Sequence, residues 1–258
     1  MIQVEYFSKG KTEDKNEDYF NHNENCFVIA DGATDKSGRK YNGKTGGELV
    51  SRLIVKESLS SRLNGEELII FLNKKVYELY ENLNIISDIN DPKYRFTSAC
   101  IVVRIIEDKI VVTCIGDSGF RINGREIHKK NGQIDINVSE ERAKYIRETG
   151  DVAGSREYIM PLLLKQFEYQ NNADSPLGYG AIDGITTPLK FIKTYEYQKN
   201  NIKSIELFTD GYFDIPDGTT IKDWENSFDK LEREDPDKWK KFKSTKSKDD
   251  RTIAIIKL

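Results

Sequence analysis

Residues 26–36 read CFVIADGATDK, and this stretch decides the fold. The five apolar residues 26–30 predict a buried β-strand that runs directly into Asp31 and Gly32. A carboxylate at the end of a buried strand costs free energy unless a partner compensates for its lost hydration. The stretch therefore predicts that Asp31 faces such a partner at the end of its strand.

Carboxylates recur at the ends of other predicted strands. Asp117 follows VVTCIG, Asp210 follows SIELFT, and Asp249 stands just before the last apolar run, TIAIIKL. Because the end of one antiparallel strand lies beside the start of the next, we expect these three carboxylates to gather with Asp31 at one edge. A further acidic pair, Glu17-Asp18, precedes a segment that leads to a strand.

Carboxylates that meet in a partly dry site repel each other, so protons or metal cations must neutralise them. A single Asp-Gly after a strand is ordinarily only a turn, but the recurrence in a suitable order favours a shared site. Oxygen ligands suit hard cations, so we expect Mg²⁺ or Mn²⁺. The chain has only two histidines, and its three cysteines show no CxxC spacing, which argues against zinc.

The order of predicted elements indicates an α+β fold. Strands are predicted at Gln3–Phe7, Cys26–Ala30, Ser98–Ile106, Lys109–Ile115, Gly119–Ile122, Ser204–Phe208 and Thr252–Lys257. Helices are predicted in TGGELVSRLIVKESLSSRL, GEELIIFLNKKVYELYENL, IKDWENSFDKLERE and SEERAKYIRETG, the last with Ser139 as its N-cap. This order lacks the regular alternation of a parallel sheet, so we expect antiparallel sheets with helices packed outside.

The composition is that of a globular chain. Its 258 residues are enough for a large core, and the absence of Pro-, Gly- and Ser-rich linkers predicts one domain over 1–258, with a flap at about 129–180. A net charge of −3 gives no indication of a nucleic-acid partner. Without a signal-peptide pattern or an apolar run of about 20 residues, we expect a cytoplasmic protein that does not enter the membrane.

The stretch DKWKKFKSTKSK, residues 237–248, is strongly basic. We interpret it as a solvated helix end and loop, with the steering of an anionic substrate as the alternative.

Six segments carry a resemblance to a known family. They are NEDYF, VIADGATD followed by TGGELVS, TSACIVV, VVTCIGDSGFRI, IELFTDGYFD and KDDRTIAII. Their order along the chain resembles that of the PP2C-type metal-dependent protein serine/threonine phosphatases, in a divergent bacterial-like form. The resemblance implies an antiparallel β-sandwich of two sheets flanked by helices, with two Mg²⁺ or Mn²⁺ ions at one end.

The resemblance also implies roles for individual residues. The residues that it implies as metal ligands are Asp18, Asp31, Gly32 through its carbonyl, Asp210 and Asp249. Asp31 and Asp210 would hold the metal-bound water that attacks phosphorus, and Asp117 resembles the ligand of a third, weaker metal. Glu17 and Asp250 would lie behind these ligands.

Three positions depart from the family pattern. Glu13 stands where many members have an arginine that binds the substrate phosphate, and Lys11 or Lys15 is predicted to take that role, although lysine lacks the bidentate fork. Ala33 stands where some members have a histidine proposed as a general acid. Asp250 stands where asparagine is usual, which adds a negative charge near the centre.

The implied reaction is hydrolysis of phosphoserine or phosphothreonine by a water that bridges the two metals. The implied partners are a phosphorylated protein and a cognate Ser/Thr kinase. A pseudophosphatase that binds a phosphoprotein or a kinase without turnover is one alternative, favoured by the missing arginine. A metal-dependent phosphoesterase acting on small molecules is another. The complete set of carboxylates favours the enzyme.

Overall fold

The computed structural model describes residues 2–33, 36–129, 132–185 and 189–258. The strands in these parts of the chain are β1 (Gln3–Lys9), β2 (Asp18–His22), β3 (Cys26–Gly32), β4 (Ser98–Ile106), β5 (Lys109–Ile115), β6 (Gly119–Ile122), β7 (Glu126–His128), β8 (Lys193–Gln198), β9 (Ser204–Phe208) and β10 (Arg251–Lys257). The α-helices are α1 (Gly46–Ser60), α2 (Gly65–Asn82), α3 (Gln133–Thr149), α4 (Ser155–Tyr158), α5 (Met160–Lys165) and α6 (Ile221–Glu234).

The strands form two antiparallel sheets of five strands each. The first sheet has the order β1-β10-β9-β6-β7, and the second has the order β2-β3-β4-β5-β8. Helices α1 and α2 cover the outer face of the second sheet, and α6 covers the outer face of the first. This arrangement confirms the predicted α+β sandwich of two antiparallel sheets flanked by helices.

Strand β3 lies in the middle of this layering, which explains its continuous apolar sequence. Phe27 and Ile29 point into the core between the sheets, where they meet side chains of both sheets such as Leu207. Val28 and Ala30 point the other way, into the core formed with α1 and α2. Because side chains alternate along a strand, Asp31 lies on the same face as Ile29, at the end of the inter-sheet core.

The predicted strands are all present, with their ends placed to within two residues. Three strands were not predicted, namely β2, β7 and β8. Strand β8, with the sequence KTYEYQ, lies at a sheet edge, and its exposed positions carry polar side chains instead of an apolar run. Strand β7 has only three residues, too few to show a period.

The prediction that Ser139 caps a helix is wrong. Helix α3 begins at Gln133 after Gly132, and the Ser139 hydroxyl donates to the Ile136 carbonyl from inside the helix (2.9 Å). The helix extends toward the N-terminus because Ile134 and Val138 pack against Leu163 of α5, a tertiary contact that the local sequence does not reveal.

No helix in the described ranges has the length and apolar composition that crossing a bilayer requires.

A buried ion pair joins α6 to the first sheet. Arg121 in β6 and Glu206 in β9 face each other across the two strands and are almost fully buried. Arg121 Nε donates to Glu206 Oε1 (3.0 Å), and Trp224 Nε1 of α6 donates to Glu206 Oε2 (2.8 Å). Arg121 Nη2 also donates to the Gly218 carbonyl (2.7 Å), which holds the segment before α6 against the sheet.

Replacing Arg121 with methionine is expected to lower the free energy of unfolding by about 3–5 kcal/mol, because Glu206 would remain buried without its cation. In the double variant R121M/E206Q the free energy of unfolding should fall much less. No charge remains buried, and the carbonyl oxygen of the introduced amide can still accept a hydrogen bond from Trp224. Urea unfolding followed by circular dichroism measures both losses.

The matched control is Lys109→Met, which breaks an exposed cross-strand pair between Lys109 and Glu196. This variant should change the free energy of unfolding by about 1 kcal/mol or less. A loss for R121M no larger than that of K109M would contradict the assignment of Arg121 as an anchor of α6.

Candidate functional site

Asp18 and Asp31 face each other at one end of the sandwich. Asp18 begins β2 and is directly paired with Asp31 of β3 in the antiparallel register. Both lie on the strand face that carries Phe20 and Ile29, so both side chains point into the gap between the sheets. Like charges placed directly opposite each other destabilise a strand pair, so the two carboxylates require neutralisation.

Three further aspartates approach Asp31 from different strands. Asp117 follows β5, Asp210 follows β9, and Asp249 precedes β10. Burial and then the negative charges of Asp18, Asp210, Asp117 and Asp249 raise the pKa of Asp31 well above its ordinary value. The structure thus places the four aspartates that the strand pattern predicted to gather near one another, with Asp18 as a fifth.

Burial also raises the pKa values of three other members of this group. It raises the pKa of Asp18 to about 8 and the pKa values of Asp117 and Asp249 to about 6. Thr209 Oγ1 donates to Asp18 Oδ2 (2.7 Å), which opposes the rise for Asp18. The folded protein therefore holds several carboxylates in a place where their charged forms are unfavourable without a cation.

Two carboxylate oxygens have no partner. Within the described parts of the chain, Asp18 Oδ1 and Asp249 Oδ2 are buried and accept no hydrogen bond. A buried acceptor without a donor costs about 1–3 kcal/mol, and more when it is charged. A hard cation would satisfy both oxygens, so the donor chemistry fits Mg²⁺ or Mn²⁺.

Among the described residues, no three His, Cys, Asp or Glu side chains are arranged as ready ligands of one metal ion.

Gly32 lies where the end of β3 meets the start of α1. A Cβ at this position would overlap the carbonyl oxygen of Gly47, and the Gly32 amide donates to the Glu17 carbonyl (3.1 Å). Only glycine permits this close approach of two backbones. The contact fixes the direction in which β3 delivers Asp31.

Glu17 and Asp250 lie behind the aspartates and share a cation, Lys11. Lys11 Nζ forms ion pairs with Glu17 and with Asp250 Oδ2 (3.1 Å), and the Lys11 amide donates to Asp250 Oδ1 (2.7 Å). Glu17 Oε1 also accepts from Thr45 Oγ1, the N-cap of α1 (2.6 Å). The Lys11 ammonium therefore belongs to a network that braces the site.

A cavity of about 1070 Å³ opens above the aspartates. Its acidic lining residues are Asp31, Asp117, Asp135, Glu140 and Asp210. Its basic lining residues are more numerous, namely Lys36, Arg95, Lys129, Arg156, Lys190, Lys193, Lys241, Lys243 and Lys246. Lys11 and Lys15 are not among the described residues that line it. The cavity therefore has a group of carboxylates in its lining, and basic side chains outnumber acidic ones around it.

Two cavity residues that the sequence did not single out lie beside the aspartates. Asp135, in the first turn of α3, accepts from Gln166 Nε2 (2.7 Å), and its negative charge contributes after burial to the raised pKa of Asp117. Lys129 donates through Nζ to the Tyr212 carbonyl (2.8 Å). Both residues belong to the segment 129–180, whose irregular sequence offered no motif that would have marked them.

Solved structures of bacterial serine/threonine phosphatases share this fold. Stp1 from Staphylococcus aureus is 17% identical, with coverage of 100% of this chain and 95% of its own and a TM-score of 0.55. PstP/Ppp from Mycobacterium tuberculosis is 13% identical, with coverage of 100% and 98% and a TM-score of 0.55. The catalytic domain of PstP in complex with two manganese ions is 12% identical, with coverage of 99% and 97% and a TM-score of 0.52.

At these identities the likeness establishes the fold, and the family follows from the sequence. The family profile described as protein phosphatase 2C matches residues 8–245. The chain therefore belongs to the protein phosphatase 2C family, which confirms the resemblance carried by the six sequence segments. Among curated proteins, no significant match to the chain is found.

The effect of the Asp31 carboxylate on stability is expected to change sign when metal is added. At pH 8 without metal, Asp31→Asn should raise the melting temperature by about 2–4 °C or more, because it removes one charge from the aspartate group. With Mn²⁺, the wild-type protein should gain stability by ligand binding and the variant should gain little. Thermal unfolding with and without Mn²⁺ measures both effects.

The metal-free difference should shrink at pH 5. Because the pKa of Asp31 is raised in the folded state, wild-type stability falls as pH rises from the unfolded pKa toward the folded one, so less stability is lost at pH 5 than at pH 8. The control is Asp214→Asn, an exposed aspartate four residues beyond Asp210. If Asp31→Asn destabilised the metal-free protein at pH 8, the repulsion described here would be refuted.

Proposed function

We propose that this protein is a metal-dependent phosphatase that hydrolyses phosphoserine and phosphothreonine in proteins. The observation that carries the proposal is the convergence of five aspartates, two of them with unpartnered buried oxygens, at one end of a protein phosphatase 2C fold. In its charged form such a group is unfavourable without cations, and its oxygen donors suit Mg²⁺ or Mn²⁺. The manganese ions of the PstP catalytic domain, a protein with the same fold, support this choice of metal.

Each residue of the site has a proposed role. The ligands of two metals would be Asp18, Asp31, the Gly32 carbonyl, Asp210 and Asp249, and Asp117 would hold a third ion. When bound, the metals supply an activated water nucleophile and offset charge on the phosphoryl oxygens. As ligands, Asp31 and Asp210 would fix the position of that water beside the phosphoryl group. Glu17 and Asp250, joined through Lys11, hold the surrounding backbone in place.

The cavity supports an anionic substrate larger than a simple phosphate. Basic side chains outnumber acidic ones around it, and its volume of about 1070 Å³ reaches the upper size of small-ligand pockets. Residues 133–180, within the predicted flap, supply part of its wall. A phosphorylated protein segment fits these properties. A cytoplasmic location and a cognate kinase as the source of the substrate belong to the same proposal.

Catalysis is tested by the hydrolysis of p-nitrophenyl phosphate with added Mn²⁺. The wild-type protein should turn over only with the metal, and Asp210→Asn should lower kcat/KM by about 100-fold or more, since a proposed ligand is lost. Asp214→Asn, which changes an exposed carboxylate close by in the chain, should retain wild-type activity. Absence of turnover with Mn²⁺ would support the pseudophosphatase alternative, whereas equal turnover by Asp210→Asn would refute the aspartate group as the catalytic site.

The substrate class is tested separately with phosphopeptides and nucleotides at equal concentration. The proposal predicts a higher kcat/KM for peptides that carry phosphoserine or phosphothreonine, because the basic cavity can bind an extended anionic chain. A strong preference for nucleotides would instead support the small-molecule phosphoesterase.

A further inference from the structure

We propose that Arg156 binds the phosphoryl group of the substrate, with Lys36 and Lys246 beside it, and that Lys11 and Lys15 do not. The inference rests on the proposed function only in taking a phosphate ester as the ligand. It places the phosphate anchor on α4 and on the loop before β10, on chain segments remote from the N-terminal position where the sequence predicted it.

The position of Arg156 links the cavity wall to the aspartate group. Arg156 Nη1 donates to the Thr245 carbonyl (2.7 Å), and the next residue, Lys246, places its Nζ 2.6 Å from Asp249 Oδ1. Arg156, Lys246 and Lys36 all line the cavity that holds Asp31 and Asp210. A phosphate held by this wall would therefore lie against the proposed metal ligands.

A second arginine, Arg142, fixes this wall from behind. Arg142 is buried, and its guanidinium donates to Ser155 Oγ (3.0 Å), to the Ser244 carbonyl (3.0 Å) and to Ser247 Oγ (2.8 Å). These bonds join the residue before Arg156 to both sides of Lys246. The wall is thus held in place by the protein itself before any ligand binds.

The two arginines differ in how many of their donors the protein uses. Every nitrogen of the Arg142 guanidinium donates to a protein atom. For Arg156, the only hydrogen bond to the described residues comes from Nη1. A guanidinium has five N–H donors in a planar fork that matches two phosphate oxygens. Arg156 therefore retains the donors that bidentate binding of a phosphate requires.

The charges around Lys36 also favour an anion. Burial and then the positive charges of Arg156 and Lys246 lower the pKa of Lys36 to about 8, because these two cations oppose a further positive charge on Lys36. An anion placed between them relieves this repulsion. Lys11, by contrast, is held by the carboxylates of Glu17 and Asp250 and does not line the described cavity.

The test is the binding of inorganic phosphate to the Mn²⁺-loaded protein, measured by isothermal titration calorimetry. Arg156→Met should raise the Kd of phosphate by about tenfold or more, as expected for the loss of charge-assisted hydrogen bonds. Arg156→Lys should give an intermediate Kd, because lysine keeps the charge without the fork. The KM for p-nitrophenyl phosphate should rise in parallel, and the Kd of Mn²⁺ should stay within about twofold of the wild-type value.

The matched control is Arg147→Met, which removes an exposed arginine near the end of α3, outside the residues that line the cavity. It should leave the Kd of phosphate unchanged. Lys15→Met, at the other lysine that the sequence predicted to bind phosphate, should also leave this Kd within about twofold of the wild-type value. If Arg156→Met fails to fold, Arg156→Lys and Lys36→Met provide the same comparison, and both should weaken phosphate binding.

Three results would overturn the inference: an unchanged Kd in Arg156→Met and Arg156→Lys, a tenfold loss of phosphate affinity in Lys15→Met, or no phosphate binding by the wild-type protein. Failure of the proposed function looks different. If the protein binds phosphate through Arg156 but hydrolyses no phosphate ester, the proposed function is refuted and the role of Arg156 stands. If the protein is an active phosphatase and Arg156 does not affect its affinity for phosphate, only the role of Arg156 is refuted.

Discussion

Five aspartates at one end of the sandwich repel each other, and the surrounding structure must be stable enough to hold them there. Asp18 and Asp31 are paired across two strands, and burial together with neighbouring charge raises the pKa of Asp31 well above its ordinary value. The protein can keep these carboxylates close together only if the surrounding strands and helices are stable enough to oppose the repulsion. The unfavourable free energy of this repulsion arises at the end of the inter-sheet core, where metal cations can offset it.

Strand β3, which carries Asp31, is held in place because it is buried on both faces. Its apolar side chains pack alternately into the inter-sheet core and against α1 and α2, so the strand cannot shift to relieve the charge at its end. Backbone contact between Gly32 and Gly47 and the bond from Thr45 to Glu17 extend this rigidity to the loop beyond the strand. Stability and the proposed chemistry are therefore coupled through the same few residues.

Apolar strands and the carboxylates that end them predicted antiparallel sheets with helices outside and the gathering of four aspartates, whereas the sandwich of two sheets was implied by the family resemblance. The sequence could not predict the part of the cavity wall that Arg156, Lys36 and Lys246 form. Arg156 and Lys246 lie 90 positions apart in the sequence, and the hydrogen bonds from Arg142 to Ser244 and from Arg156 to Thr245 bring both to the same cavity. Strand β8 was missed for a related reason, since an edge strand with polar exposed positions lacks the apolar run of a buried one. Lys11 was assigned to phosphate from its place in the chain, whereas its ion pairs depend on the tertiary fold.

The central claim is that the aspartate group is a metal centre. The most direct measurement is a crystal structure of the protein grown with Mn²⁺ and recorded at the manganese absorption edge. We expect two anomalous peaks at the end of the sandwich, among Asp18, Asp31, Asp210 and Asp249. An ordered site in which Asp18, Asp31, Asp210 and Asp249 surround no anomalous peak at millimolar Mn²⁺ would contradict it.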